Sequence, residues 1–346
     1  MGLCKCLVGS LCCVGLLAMT GALTWRYGPW YDESVDPLKG INIGGGSSSN
    51  DDLTEPSALT AKDACPTCCN TLTSNCGLPV NQVLFPMVHN AMSSYGDYFL
   101  SANNNLPMEK ALVAGYRGLM LDSCICESST VNDIKGFLGG QDNTGLRFCH
   151  KTCDAGARKP DKLLGNLKTF LEVNPNEVVI VEFEVNDNSL NDLFYAIDDS
   201  GLDEYIFSPA DKINVEWPTM QELIDANTRL IIFAHGDGIE SCAVSNCPEG
   251  FLYTFDHLTQ TNWNDESCDI KGNDVEPRAF FLMNHWMNND LDLPSEDNAQ
   301  EFNAFAKLIE RTEKCSGRIP NIIAVDFWDV GDVLPFVKEV NTQRAG

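Results

Sequence analysis

Leu163-Leu164-Gly165-Asn166-Leu167-Lys168-Thr169-Phe170-Leu171-Glu172-Val173 leads through Asn174-Pro175-Asn176-Glu177 into Val178-Val179-Ile180-Val181-Glu182-Phe183-Glu184-Val185. The first part sets Leu163, Leu164, Leu167, Phe170 and Leu171 on one face of a helix, at the three-and-four spacing of an amphipathic segment. The last part is a short apolar run of strand length. A helix feeding a buried strand is half of a βαβ unit, and the same alternation extends in both directions. Apolar runs fall at 83–88, 118–121, 146–149, 178–185, 230–234, 251–255, 280–283 and 322–327, with amphipathic stretches at 106–114, 163–173, 190–197, 220–226, 302–309 and 333–340. Strands alternating with helices predict a parallel sheet with helical crossovers. Eight strand candidates over about 260 residues predict an α/β fold of the TIM (β/α)8 type. A doubly wound open sheet is the second choice, and no Gly-rich dinucleotide fingerprint follows the first run.

In such a barrel the chemistry sits at the C-terminal ends of the strands. Those positions read His89-Asn90, Asp122, His150, Glu182 and Glu184, His235, Asn284-His285, and Asp326. Four of the five histidines stand at the ends of apolar runs, in the company of acids at other run ends. His257 reads as a loop residue.

Charge and cysteine usage narrow the setting. The 346-residue chain carries 49 acidic against 23 basic side chains, a net charge of −26. That excludes a nucleic-acid partner, which would recruit Lys and Arg, and opposes simple electrostatic adhesion to anionic lipid. Of 16 cysteines, four lie in the first 13 residues and twelve between Cys65 and Cys315. An even dozen in the folded part fits a disulfide framework in an oxidising compartment. Cys124 and Cys126 follow Asp122, and Cys149 and Cys153 flank His150, which predicts bridges pinning two loops at the site. Cys242 and Cys247 look like a local closure, and zinc on Cys65-x-x-Cys68 is the alternative use of that pair. The charge-free stretch 7–25, bounded by Lys5 and Arg26, is a signal peptide or an uncleaved signal-anchor. If it is retained, Cys4 and Cys6 are candidates for acylation. Residues 26–60, with Gly44-Gly45-Gly46-Ser47-Ser48-Ser49, read as a flexible stalk, and 61–346 as the barrel. The chain is expected to be a monomer, secreted or membrane-anchored, facing the extracellular or lumenal side.

Several stretches together carry a family resemblance. They are Leu84-Phe85-Pro86-Met87-Val88-His89-Asn90-Ala91, Gly115-Tyr116-Arg117-Gly118-Leu119-Met120-Leu121-Asp122, Phe148-Cys149-His150, Asn174-Pro175-Asn176-Glu177-Val178-Val179-Ile180 and Ile323-Ala324-Val325-Asp326-Phe327. Through them the sequence resembles the X-domain superfamily of phosphatidylinositol-specific phospholipases C, and more closely the secreted PLC-like phosphodiesterases of fungi, plants and protists. The resemblance implies a distorted TIM barrel. It also implies cleavage of a phospholipid or related phosphodiester through a cyclic phosphate, at a membrane surface. It places His89 as general base, His150 as general acid and Asp326 as the acid orienting His89; imidazole suits both proton transfers near neutrality. Arg117, His285 and Trp286 are expected to contact the substrate, Trp286 by stacking on a polyol or touching lipid.

The phosphoryl oxygens need positive charge. The superfamily supplies it with an arginine two residues after Asp122, where this chain has Cys124, or with calcium. The calcium set is matched by Asn90, Asp122 and Glu184, while Met120 replaces a glutamate. Calcium or another divalent cation is therefore expected on three protein oxygen donors, with others coming from water. Two alternatives remain. A glycerophosphodiester or sphingomyelin-type phosphodiesterase lacks support because no Glu-x-Asp occurs on the second strand. A catalytically idle barrel that binds a phosphorylated or sugar ligand fits the thinned charge set.

Overall fold

A computed structural model describes residues 56–127, 144–186, 190–236, 238–244, 246–271, 278–315 and 320–344. The predicted leader, and the stalk as far as Glu55, lie outside them. Among the described residues no helix is long and apolar enough to cross a membrane.

Among the described residues nine strands form one sheet: β1 (Phe85–Val88), β2 (Gly118–Cys126), β3 (Gly145–Phe148), β4 (Val179–Val185), β5 (Leu230–Gly236), β6 (Phe251–Tyr253), β7 (Leu258–Gln260), β8 (Phe280–Asn284) and β9 (Ile322–Val325). The helices are α1 (Met108–Ala114), α2 (Pro160–Val173), α3 (Leu190–Ser200), α4 (Met220–Asp225), the single turn α5 (Thr254–His257), α6 (Glu296–Phe302), α7 (Phe305–Lys314) and α8 (Val333–Arg344). Eight strands run parallel in the order β6-β5-β4-β2-β1-β9-β8-β7. This is the wall of a distorted α/β barrel. Among the described residues no ladder joins β6 to β7; α5 alone carries the chain across that seam.

The eight strands are not quite those predicted. The run at 146–149 lies outside the parallel wall. β2 continues past the rim, and its last residues pair antiparallel with β3, Ser123 opposite Phe148 and Cys126 opposite Gly145. The eighth parallel strand is β7, whose Leu258-Thr259-Gln260 is too short and too polar to stand out by periodicity.

α2 shows the sequence logic directly. Pro160 opens it, where a missing N–H costs nothing, and it buries Leu163, Leu164, Leu167, Phe170 and Leu171. Inside the barrel, Phe85, Met87, Ile180, Phe233, Leu282 and Ala324 pack into one buried cluster. Successive strand side chains alternate between faces, so the residue two further on points the same way. Met87 is thus followed by His89, Ile180 by Glu182 and Glu184, Phe233 by His235, Leu282 by Asn284 and Ala324 by Asp326. The apolar plug ends where the polar mouth begins. Gly118 lets β1 and β2 close up beneath that mouth, since a Cβ there would lie 2.6 Å from the Cβ of Met87.

Candidate active site

His89 leaves β1 with its backbone N–H donated to the Val325 carbonyl at 2.9 Å. Its Nδ1 is 2.7 Å from Asp326 Oδ1 at the end of β9. Asp326 is buried and also accepts from Asn103 Nδ2, at 3.1 Å on Oδ1 and 3.3 Å on Oδ2. A carboxylate beside Nδ1 keeps the proton there and leaves Nε2 free to accept one. Trp286 stacks on the imidazole, ring centres 3.7 Å apart and planes 11° from parallel. The ring is fixed at one edge and one face.

His150 sits on the loop after β3 and lines the same cavity as His89. That loop is closed by paired backbone bonds between Phe148 and Arg158, 2.9 and 2.8 Å, and by the disulfides Cys124–Cys149 and Cys126–Cys153. Arg158 is itself pinned by a buried ion pair to Glu109. Burial, followed by the neighbouring charges of His89 and Lys151, lowers the His150 pKa to about 4. Between the two bridged cysteines, Thr152 N–H donates to the His150 carbonyl at 2.7 Å, and Lys151 has φ 63°. This three-residue turn is of the rare left-handed kind, which costs on the order of 1–3 kcal/mol for a non-glycine residue.

Asn90, Asp122 and Glu184 also line the cavity, Asn90 and Asp122 buried and Glu184 half-exposed. Asp122 is held well above the usual carboxylate range, first by burial and then by the charges of Glu184 and Glu182. Glu182 is deeper, accepts from Gln260 Nε2 at 2.7 Å, and is raised by burial to about 7. Among the described residues, His, Cys, Asp or Glu ligand atoms converge in a group of three only at Cys124, Cys149 and Cys153, which are bridged, so Glu182 does not close up on Asp122 and Glu184. Hard oxygen donors and a buried carboxylate crowded by like charge fit a divalent cation at Asn90, Asp122 and Glu184. His235 reaches toward Glu182 at 3.4 Å and is lowered by burial to about 4.

The cavity measures about 540 Å³. Its lining brings together His89, Asn90, Asp122, His150, Glu184 and Trp286, seven of the nine predicted site residues when the adjoining Asp326 is counted. It leaves out two. Arg117 precedes β2 at the opposite end of the barrel, where it bonds Glu177 at 2.6 Å and the carbonyls of Leu112 and Tyr116. His285 is fully buried, donating Nε2–H to the Phe302 carbonyl at 2.7 Å and accepting at Nδ1 from Arg311 at 3.2 Å. His257 is not a loop residue either: it is buried in α5, with Nε2 on the Lys212 carbonyl at 2.8 Å. Sequence reading missed Asn103, Lys151, Gln260 and Lys271. Only Lys151 carried a signal, its place beside His150. Cys65 and Cys68 are bridged to each other, which removes the zinc reading. Cys69–Cys76, Cys242–Cys247 and Cys268–Cys315 complete six disulfides among the described residues.

Known proteins share parts of this sequence and this fold. PI-PLC X domain-containing protein 1 of Arthroderma benhamiae is 29% identical over 233 residues, 59% of this chain and 73% of that protein. PI-PLC X domain-containing protein At5g67130 of Arabidopsis thaliana is 26% identical over 294 residues, 77% of this chain and 63% of its own length. The solved phosphatidylinositol-specific phospholipase C from Listeria monocytogenes superposes with a TM-score of 0.50 at 15% identity, covering 78% of this chain and 97% of that one, a likeness of fold. The family model described as PI-PLC X 1 matches residues 134–341, more than half of the sequence and the span that holds His150 and Asp326, so the chain belongs to the PI-PLC X-domain family.

Proposed function

We propose that the protein is a phosphodiesterase of phospholipase C type acting on an inositol phospholipid or a related phosphodiester. One observation carries this reading: His89, with Nδ1 on Asp326, shares a cavity with His150. In the reaction a hydroxyl of the head group attacks the phosphorus and gives its proton to His89 Nε2. The bond from phosphorus to the leaving oxygen breaks, and that oxygen takes a proton from His150. The products are a cyclic phosphate and an alcohol, diacylglycerol where the substrate is the phospholipid. His150 is neutral at pH 7 in the empty site, and an arriving phosphate anion favours its protonated form. Asn90, Asp122 and Glu184 would hold a divalent cation, calcium by the chemistry of the donors, which supplies positive charge to the phosphoryl oxygens when bound.

A lipid substrate is supported by the rim. Tyr98, Leu100 and Leu291 are 82%, 64% and 78% exposed, and Leu100, Leu293 and half-exposed Trp263 line the cavity itself. With a net charge of −26, apolar insertion and not charge attraction would bring this mouth to a membrane. Six disulfides support an oxidising compartment, hence a secreted or anchored enzyme with a lumenal or extracellular face.

The test is turnover of a fluorogenic inositol phosphodiester, with calcium or chelator, by the protein and by its H89A and H150A variants. Each substitution is expected to lower the rate about a hundredfold or more. Equal rates in all three remove the assignment. No turnover with retained inositol phosphate binding identifies the idle barrel instead.

A further inference from the structure

Transfer of the phosphoryl group places added negative charge on its non-bridging oxygens, and something cationic must face them. The arginine position of the family is Cys124, whose sulfur is bridged to Cys149. No arginine lines the cavity among the described residues, and Lys151 and Lys271 are the lysines that do. Lys271 belongs to the far wall, its backbone N–H donated to the Gln260 carbonyl on β7 at 2.8 Å. Lys151 stands next to His150, and its ammonium makes no ion pair with a described residue.

Its backbone is the less ordinary half of the observation. The turn at His150-Lys151-Thr152 is left-handed at a lysine, a conformation glycine would adopt at no cost. Both ends of the turn are stapled by disulfides to β2, through Cys149 and Cys153. A strained turn held so firmly, with its central residue lining the cavity, is what presenting a charge at a set place requires.

Resting on the phosphodiesterase reading above, we propose that Lys151 is a catalytic residue: its ammonium lies against the non-bridging oxygens of the scissile phosphate and balances the charge they gain during attack. It transfers no proton. It performs in this chain the task of the arginine that Cys124 displaces, from the general acid's own loop.

The experiment compares K151Q, K151R and K151G in the full chain, with calcium and with chelator. K151Q is expected to lose about 10²–10³-fold in kcat with a smaller change in KM, and K151R to recover most of it. K151G relaxes the turn and removes the charge, so it should be as slow as K151Q. A K151G variant as fast as the parent would show that the position serves backbone shape alone and overturn the proposal. So would K151Q at full rate, or K151Q brought to the parental rate by calcium. Inorganic phosphate binding, followed by 31P NMR, separates this proposal from the reading it rests on. If the parent turns over no phosphodiester yet binds phosphate, and K151Q does not, the enzyme assignment fails and the lysine site stands. Equal phosphate binding by parent and K151Q, or none by either in an inactive protein, sinks the lysine site.

Discussion

His89 is held at one edge by Asp326 and on one face by Trp286, and Asp326 is held in turn by Asn103. Replacing the carboxylate while keeping its shape therefore tests orientation and charge together. D326N is expected to lower kcat about a hundredfold or more with little change in KM, measured by steady-state kinetics on a soluble inositol phosphodiester. The alternation of strand side chains also explains which predicted residues reach the cavity mouth. His89, Glu184 and Asp326 were legible because each lies an even number of residues past an inward-facing apolar side chain. His285 failed by parity: Asn284 and Trp286 flank it, and the odd step turns it outward to Phe302 and Arg311. Arg117 failed by direction, since a residue preceding a strand stands at the barrel end remote from the chemistry.

At the level of elements, the β2–β3 hairpin leads into the loop of His150, the proposed general acid. β2 brings Asp122 to the mouth, then Cys124 and Cys126 clamp the loop that holds His150. The nearest sulfurs of the two bridges, those of Cys124 and Cys153, are 3.6 Å apart, so the bridges constrain one small patch and the second adds less to stability than the first. Replacing Cys126 and Cys153 together by serine is expected to lower kcat at least tenfold while near-ultraviolet circular dichroism and cooperative unfolding persist. Unchanged kcat would show that one bridge suffices to set the loop. The pinning was legible from spacing, because two cysteines just after Asp122 and two around His150 have few other partners. The hairpin was not: its apolar run looks like any other short strand, and direction is not written in a four-residue segment. β7 was missed for the opposite reason, since Thr259 and Gln260 hide it among loop residues although both are buried.

For the molecule as a whole, two expectations follow from charge and burial. The exposed apolar rim lies on an acidic protein, so association with zwitterionic vesicles should survive raised salt. A Y98S/L291S variant, changed at two exposed residues outside the cavity lining, should lose vesicle activity about tenfold while its rate on soluble substrate stays the same, as sedimentation and turnover assays would show. The second concerns acid. His285 is depressed to about 3 by burial and then by Arg311. Its contribution to stability is complete above the unfolded value near 6.5 and is lost as pH falls toward about 3, because the unfolded chain binds the proton more readily. H285Q should therefore flatten the acid limb of chemical denaturation between about pH 6.5 and pH 3, on the order of 3 kcal/mol at its foot. A variant that declines as steeply as the parent would assign the acid sensitivity to other groups. The predicted leader and most of the stalk lie outside the described residues, and their reading stays with the sequence.

The seam between β6 and β7 has a bearing on all of this. In the strand order those two are the ends, and β2 and β1 are the middle pair, with β9 next to them. His89, Asp122 and Asp326 thus ride on the stretch of wall furthest from the tear. Each of the three strands that lead to them is bonded along both edges, whereas β6 and β7 each keep one edge without a ladder among the described residues. Amide hydrogen exchange is expected to be quicker on β6 and β7 than on β1, β2 and β9.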